Sequence, residues 1–321
     1  MATIPMIDIA PLGGRDSEAS ARCAAALCEA YEQVGFAYVY GHGMSEQTIA
    51  AAFAASQRFH ASTLEQKRSI AINAFHRGYM GFATSTIVTS TVAHVRKPNM
   101  SESLMIMHEL PADDPDLLAG RPLQGPNQWP SWLPGFREVI ESYIVAIDVV
   151  SRRIVTAFAV GLGLPRNYFD AMFARPTTFL RLLHYPPQPA TRADDEFGSA
   201  PHTDYGSITL LAQDESGGLQ VRGPDGGWID ARPVPGTLVL NAGDLMPRWT
   251  NRRFRSTPHR VINLSGGDRY SIPYFFDPAM DARIEPLPPF VQADRPAAFE
   301  PIRYGDYLME RLDKNYVYRQ S

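Results

Sequence analysis

Apolar and polar positions along this chain change their period about halfway. Between residues 17 and 34, apolar side chains recur at Ala24, Leu27, Cys28, Tyr31 and Val34, the spacing of one helix face, and Gly35 stops the run. Residues 4–8 and 36–40 read as short strands, the second rich in aromatics. Ser45 is placed to cap a second helix reaching about Ala61, and Ser62-Thr63-Leu64-Glu65 has the form of a capping box opening a short third. Residues 101–107 alternate as a strand, and 111–134 form a proline-rich surface loop. A long stripe through Phe136, Val139, Ile140, Tyr143, Ile144, Ile147, Val150 and Ile154 predicts a helix over 134–163 of the kind that backs a sheet, ended by Gly161-Leu162-Gly163-Leu164-Pro165.

From residue 178 the period falls to two. Strand-like runs cover 179–185, 207–212, 219–222, 228–230, 237–241, 259–263 and 270–276, with Asp225-Gly226 as a hairpin turn. No strand signal follows Phe276, and residues 301–314 read as a helical tail. The pattern predicts an α+β chain whose second half is a sandwich or barrel.

Composition narrows the class of function. In 321 residues, 45% are hydrophobic and 20% charged, ordinary for a globular protein. The net charge of −4 and the lack of a polybasic run argue against nucleic acid and anionic lipid as partners, leaving a small molecule. Met1-Ala2-Thr3-Ile4-Pro5 lacks the pattern of a secretion signal. The most apolar helix carries Arg137, Glu138, Glu141, Asp148, Arg152 and Arg153, so no membrane span is expected. Cys23 and Cys28 sit in a helical pattern without metal or disulfide spacing, consistent with free thiols in a reducing cytoplasm.

Candidate chemistry gathers in the β half. His202-Thr203-Asp204 precedes a β-branched run, so His202 and Asp204 are expected to open a strand and share a face as i and i+2. His259 comes from a later strand. A lone His-x-Asp pair is a weak signal, but two imidazoles and one carboxylate on one face of a metal suit a ferrous ion that activates O2. Beyond His259, Arg269 and Ser271 again stand at i and i+2, a guanidinium and a hydroxyl fit to fork a carboxylate. The same ligands would hold zinc; an anchor for a diacid favours iron. The remaining histidines, His42, His60, His76, His94, His108 and His184, have no partner spacing that suggests metal and read as structural or surface groups.

These motifs resemble the isopenicillin N synthase-like branch of the Fe(II)/2-oxoglutarate-dependent oxygenases, over nearly the whole length. The iron motif matches His202, Asp204 and His259, and the co-substrate motif Arg269 and Ser271. Leu238-Val239-Leu240-Asn241-Ala242-Gly243-Asp244 with Trp249-Thr250-Asn251, Tyr185-Pro186-Pro187-Gln188-Pro189, Ile4-Pro5-Met6-Ile7-Asp8, Gly35 to Gly43 and Gly78-Tyr79 resemble further family segments in the right order. The resemblance implies a double-stranded β-helix (jelly-roll, cupin-like) core over 175–285 with eight strands, backed by helix 134–163. An amino-terminal dioxygenase region over 1–120 would pack on it, in one compact unit. It implies Fe(II) on the triad, 2-oxoglutarate held through Arg269, Ser271 and Tyr185, and O2 as oxidant. Oxidation of a small molecule, hydroxylation first, would accompany release of succinate and CO2. Asn241 and Arg181 lie where relatives line the co-substrate pocket. Leu183 and His184 stand where many plant members carry Asn and a first Tyr. Tyr79, Phe82, Met105, Tyr205, Phe275 and Phe276 are candidates for the substrate pocket. Arg96-Lys97 reads as a solvated loop that could also meet an anionic substrate. Two alternatives stay open: an oxidase that needs no 2-oxoglutarate, with Gln320 near the metal, and a jelly-roll binding module without catalysis.

Overall fold

The computed structural model describes residues 3–189, 191 and 193–319. The amino-terminal part runs β1 (Met6–Asp8), α1 (Ser17–Gln33), β2 (Phe36–Tyr40), α2 (Glu46–His60), α3 (Leu64–Ser69), β3 (Gly78–Met80) and β4 (Glu102–Met107). Then come α4 (Pro115–Leu118), the long α5 (Phe136–Gly161) and β5 (Thr177–Tyr185). The strand-rich part continues with β6 (Ser199–His202), β7 (Ile208–Gln213), β8 (Leu219–Arg222), β9 (Trp228–Asp230), β10 (Leu238–Ala242), α6 (Leu245–Trp249), β11 (His259–Val261) and β12 (Arg269–Asp277). The chain closes with β13 (Arg283–Ile284), β14 (Ile302–Arg303) and α7 (Tyr304–Asn315).

The eight strands β5 to β12 divide four and four between two sheets, as a jelly roll requires. β5, β7, β10 and β12 lie in an eight-stranded sheet ordered β1-β2-β10-β7-β12-β5-β4-β3, so amino-terminal strands extend both of its edges. The other sheet is ordered β6-β11-β8-β9. Alternation along β12 explains the layering. Ile272, Tyr274 and Phe276 join a core with α1 and α5, while Arg269, Ser271, Pro273 and Phe275 line the space between the sheets. α5 packs on α1, α2 and the outer face of β7 and β12 through residues such as Ile140, Tyr143, Ile147 and Ile154, all at 0% exposure. Each large apolar side chain buried so completely contributes roughly 1.5–3 kcal/mol.

Helix starts follow local chemistry. Asp16 accepts from the Glu18 and Ala19 amides, and Ser45 from Thr48. The capping box of α3 is Thr63 with Gln66, one residue later than Ser62 to Glu65. The Asp225-Gly226 turn joins β8 to β9 as expected. Three strands of the second half were illegible. β13 and β14 follow Phe276 as a two-residue pair, too short to display a period. β6 contains Pro201, a residue that argues against a strand. His202 therefore closes β6 rather than opening β7, and Asp204 lies in the connection between them.

No helix among the described residues is long and apolar enough to cross a membrane. Cys23 and Cys28 are buried free thiols, which burial pushes up to about 11 and about 12.

Candidate metal centre

His202 and His259 are direct cross-strand partners, one at the end of β6 and the other at the start of β11. Their rings lie 4.3 Å apart between centroids. The Nε2 atoms stand 3.8 Å (His202) and 3.7 Å (His259) from one oxygen of Asp204, Oδ1. Three ligand atoms so disposed could hold one divalent ion at roughly 2.0–2.2 Å from each after small shifts.

Neighbouring groups leave those three atoms free. The Nδ1 of His202 donates to the Ala200 carbonyl at 2.8 Å, and the Nδ1 of His259 to Thr257 at 3.3 Å, which puts the lone pair of each ring on Nε2. The other Asp204 oxygen, Oδ2, accepts from Thr209 Oγ1 at 2.5 Å and Asn241 Nδ2 at 2.6 Å. Burial pushes the His202 imidazolium down, helped by the charge of His259, and so favours the neutral ring that a metal needs. Burial opposes ionisation of Asp204, but His259, His202 and the Thr209 and Asn241 hydrogen bonds outweigh it and hold the carboxyl below its ordinary value. Asn241, expected near the co-substrate, lines the same inner cavity as Arg269 and Ser271 and also orients Asp204.

The turn carrying Asp204 is laced to the segment after β10. Asp244 N donates to the Asp204 carbonyl at 2.8 Å, Leu245 N to Gly206 at 3.0 Å and Gly243 N to Ser207 at 2.9 Å. Glycine is required at Gly206 because a Cβ there would sit 1.7 Å from Asp277 Oδ1. Asp277 is a buried carboxyl pushed up to about 7 by its burial, and it accepts from Ser207 N and Tyr304 Oη. Gly206→Ala is expected to destabilise the fold by roughly 3 kcal/mol through overpacking. A denaturant midpoint unchanged from the parent would show that the turn has slack.

Deeper between the sheets, Arg269 of β12 is fully buried, at 0% exposure. Its Nε donates to the Gly217 carbonyl at 2.6 Å and its Nη1 reaches Ser271 Oγ at 3.2 Å, while Nη2 is buried with no hydrogen-bond partner among the described residues. The Tyr185 ring lies under the guanidinium at 4.7 Å. Tyr185, Arg269 and Ser271 share one inner pocket with the two histidines and Asp204, and Phe36 of β2 closes part of it. A buried guanidinium with a free donor and no carboxylate partner among the described residues fits an anionic ligand such as a diacid.

An outer pocket opens on the other side of the triad. Met105, Tyr205 and Phe275, three of the six candidates for a substrate pocket, line it. The other three candidates do not: Tyr79 is buried with its hydroxyl on Glu102, Phe82 is exposed, and Phe276 faces the α5 core. Leu308, Leu312, Asn315 and Tyr316 of the carboxy-terminal region also line the outer pocket, a contribution that helical periodicity alone could not reveal. His76, read as a structural or surface group, is buried there too. Lys97 of the Arg96-Lys97 pair binds Asp195 and Glu196 at the surface. Gln320 lies outside the described residues.

A second convergence was missed from sequence. His60 of α2 and His184 of β5 meet at Glu102, which is opposite His184 in the β4–β5 register. Lys67 Nζ contacts both Glu102 oxygens, at 3.1 and 2.9 Å, and Tyr79 donates to one of them. The ammonium fills the place a metal would take, so this is a buried ion-pair network. Burial opposes the Glu102 charge, but these donors hold the carboxyl far below its usual range.

Comparison with known proteins gives one consistent result. The family model described as the 2OG-Fe(II) oxygenase superfamily matches residues 176–278. That of the non-haem dioxygenase in morphine synthesis N-terminal region matches 4–132. The 2-oxoglutarate-Fe(II) type oxidoreductase hxnY of Emericella nidulans is 36% identical, over 97% of this chain and 90% of its own. A homoarginine-6-hydroxylase of Glycine max is 32% identical over 98% of each chain. The crystal structure of a full-length Neurospora crassa protein in complex with alpha-KG and thymine superposes with a TM-score of 0.85 at 32% identity, over 97% of this chain and 96% of that one.

Proposed function

Because the chain belongs to the Fe(II)/2-oxoglutarate-dependent oxygenases and is a 2-oxoglutarate-dependent dioxygenase, we propose that His202, Asp204 and His259 hold its Fe(II), and that Arg269, Ser271 and Tyr185 hold the distal carboxylate of 2-oxoglutarate. We further propose that a small molecule is oxidised, hydroxylation first, in the outer pocket. The observation that carries this reading is the unpartnered Nη2 of Arg269, buried in the same pocket as the triad. An oxidase without 2-oxoglutarate and a non-catalytic jelly roll are not favoured, since the relatives are named for 2-oxoglutarate and the Neurospora crassa protein is seen with alpha-KG.

When bound, Fe(II) and 2-oxoglutarate supply the oxidising chemistry, consuming O2 and releasing succinate and CO2. The protein's residues bind, orient and exclude water. Arg269 and Ser271 grip one end of the diacid and Tyr185 shields that contact, so its 2-oxo end is directed toward the triad. Thr209 and Asn241 keep Asp204 Oδ1 turned inward. Phe275, Met105 and the carboxy-terminal helix give the outer pocket an apolar wall on which the substrate can rest.

Asn241→Ala is expected to lower Fe(II) affinity by about 10–100-fold through loss of the Asp204 orienter. Competition against a coloured chelator measures it, and unchanged affinity would remove Asn241 from that role. The reading as a whole is tested by succinate release. It should require both Fe(II) and 2-oxoglutarate and rise on addition of a substrate. Sustained substrate turnover without any 2-oxo acid would overturn it. What the relatives act on or bind, homoarginine in one case and thymine in another, points to a small polar or charged molecule.

A further inference from the structure

We infer that the substrate is a small carboxylate with a compact apolar body, and that Arg181 is the residue that selects it. This rests on the assignment of the metal and co-substrate sites above. Arg181 projects from β5 into the space between the sheets and lines both the inner and the outer pocket beside His202 and Asp204. Its contacts are with neutral atoms. Nε donates to Ser103 Oγ at 2.9 Å, and Nη2 lies 3.4 Å from Met80 Sδ. Among the described residues no carboxylate pairs with it. Of the two acids in the outer pocket, Asp204 is turned to the histidines, and Asp277 is taken up by Ser207 and Tyr304.

Register separates Arg181 from the diacid grip. Tyr185 is opposite Arg269 and Leu183 opposite Ser271. Arg181 is four residues from Tyr185 on the same strand face, roughly 13 Å along the strand. A second cation at that distance is separate from the diacid grip and lines the outer pocket beside His202 and Asp204. There Met105, Phe179, Phe275, Leu308 and Leu312 supply an apolar wall, beside polar groups such as Asn99 and Asn315. Burial pushes the His76 imidazolium down to about 3, and the charges of Arg181, Arg319 and Arg77 add to that effect. A pocket with one apolar wall and a guanidinium that no carboxylate among the described residues pairs suits an anion that carries an apolar body.

The test uses the full chain loaded with Fe(II) and saturated with 2-oxoglutarate under anaerobic conditions. Benzoate, phenylacetate and 3-phenylpropionate are titrated by calorimetry against their carboxamides, which match them in shape without the charge. At least one acid is expected to bind at least about tenfold more tightly than its amide. Arg181→Gln should erase that preference while leaving 2-oxoglutarate affinity within about twofold of the parent. Arg181→Lys, which keeps the charge and loses the fork, should weaken the acid severalfold but still favour it over the amide. It also decides the matter if the glutamine variant does not fold. The proposal is overturned if acids and amides bind the parent equally, if none of the acids binds, or if either variant retains the parent's acid affinity. Loss of 2-oxoglutarate affinity in Arg181→Gln would also overturn it by assigning the guanidinium to the co-substrate. Failure of the underlying metal-site reading looks different: the parent itself would then fail to bind 2-oxoglutarate in an Fe(II)-dependent way.

Discussion

His259→Ala is expected to abolish Fe(II)-dependent turnover and to weaken Fe(II) binding by more than the roughly 10–100-fold typical of losing an orienting neighbour. The ring supplies one of three ligand atoms, and its Nε2 faces Asp204 Oδ1 across 3.7 Å. Without it, His202 and Asp204 are left as two adjacent ligands with no third, and a binding site closed by chelation becomes an open one. The fold should survive. His259 sits at the end of a three-residue strand and touches Phe36 edge-on at 5.4 Å, so removal leaves a small space at a pocket wall. Thermal unfolding separates the two effects. Fe(II) should raise the midpoint of the parent by binding only the folded state, and should leave that of the variant unmoved. A variant that keeps its Fe(II)-dependent stabilisation and its turnover would remove His259 from the site.

Arg269→Met should leave Fe(II) binding intact and weaken 2-oxoglutarate by about 100-fold or more. Two charge-assisted hydrogen bonds are lost, each worth roughly 1.5–3 kcal/mol. The stability effect is expected to run the other way. In the ligand-free protein the guanidinium is a fully buried charge without a carboxylate partner among the described residues, a costly state. Exchanging such a charge for an apolar side chain of similar length is often neutral or stabilising. The variant should therefore unfold no earlier than the ligand-free parent, although it loses the contact to Gly217. Arg269→Lys keeps the charge but not the fork, so it should recover little of the affinity. The apparent KM for 2-oxoglutarate and the denaturant midpoint measure the two effects. An Arg269→Met variant with the parent's 2-oxoglutarate affinity would place the co-substrate elsewhere.

Most of the architecture was legible because the signals were periodic. The α5 stripe ran long enough to give its bounds to within a few residues, and the alternation of β12 put Arg269 and Ser271 on one face from the sequence alone. What failed was short or long-range. β6 was hidden by Pro201, and that shifted the reading of His202 from the start of one strand to the end of another. Asp204 reaches its place through the turn tied to Gly243, Asp244 and Leu245, not through strand alternation. His60 and His184 lacked a visible partner because theirs, Glu102, comes from β4, 82 residues before His184. The outer pocket is completed by α7, whose sequence pattern reported a helix but not what it would cover. Local periodicity specifies elements and faces; it does not specify which distant elements meet.

The chelate at the centre of the site can be observed directly. Fe(II) protein titrated with 2-oxoglutarate in the absence of oxygen should develop a visible charge-transfer band that saturates at one equivalent per chain. His259→Ala should fail to develop it, and Arg269→Met should need about 100-fold more 2-oxoglutarate. A parent protein that stays colourless at saturating 2-oxoglutarate, or a His259→Ala variant with the full band, would contradict the assignment of His202, Asp204 and His259 as the iron site.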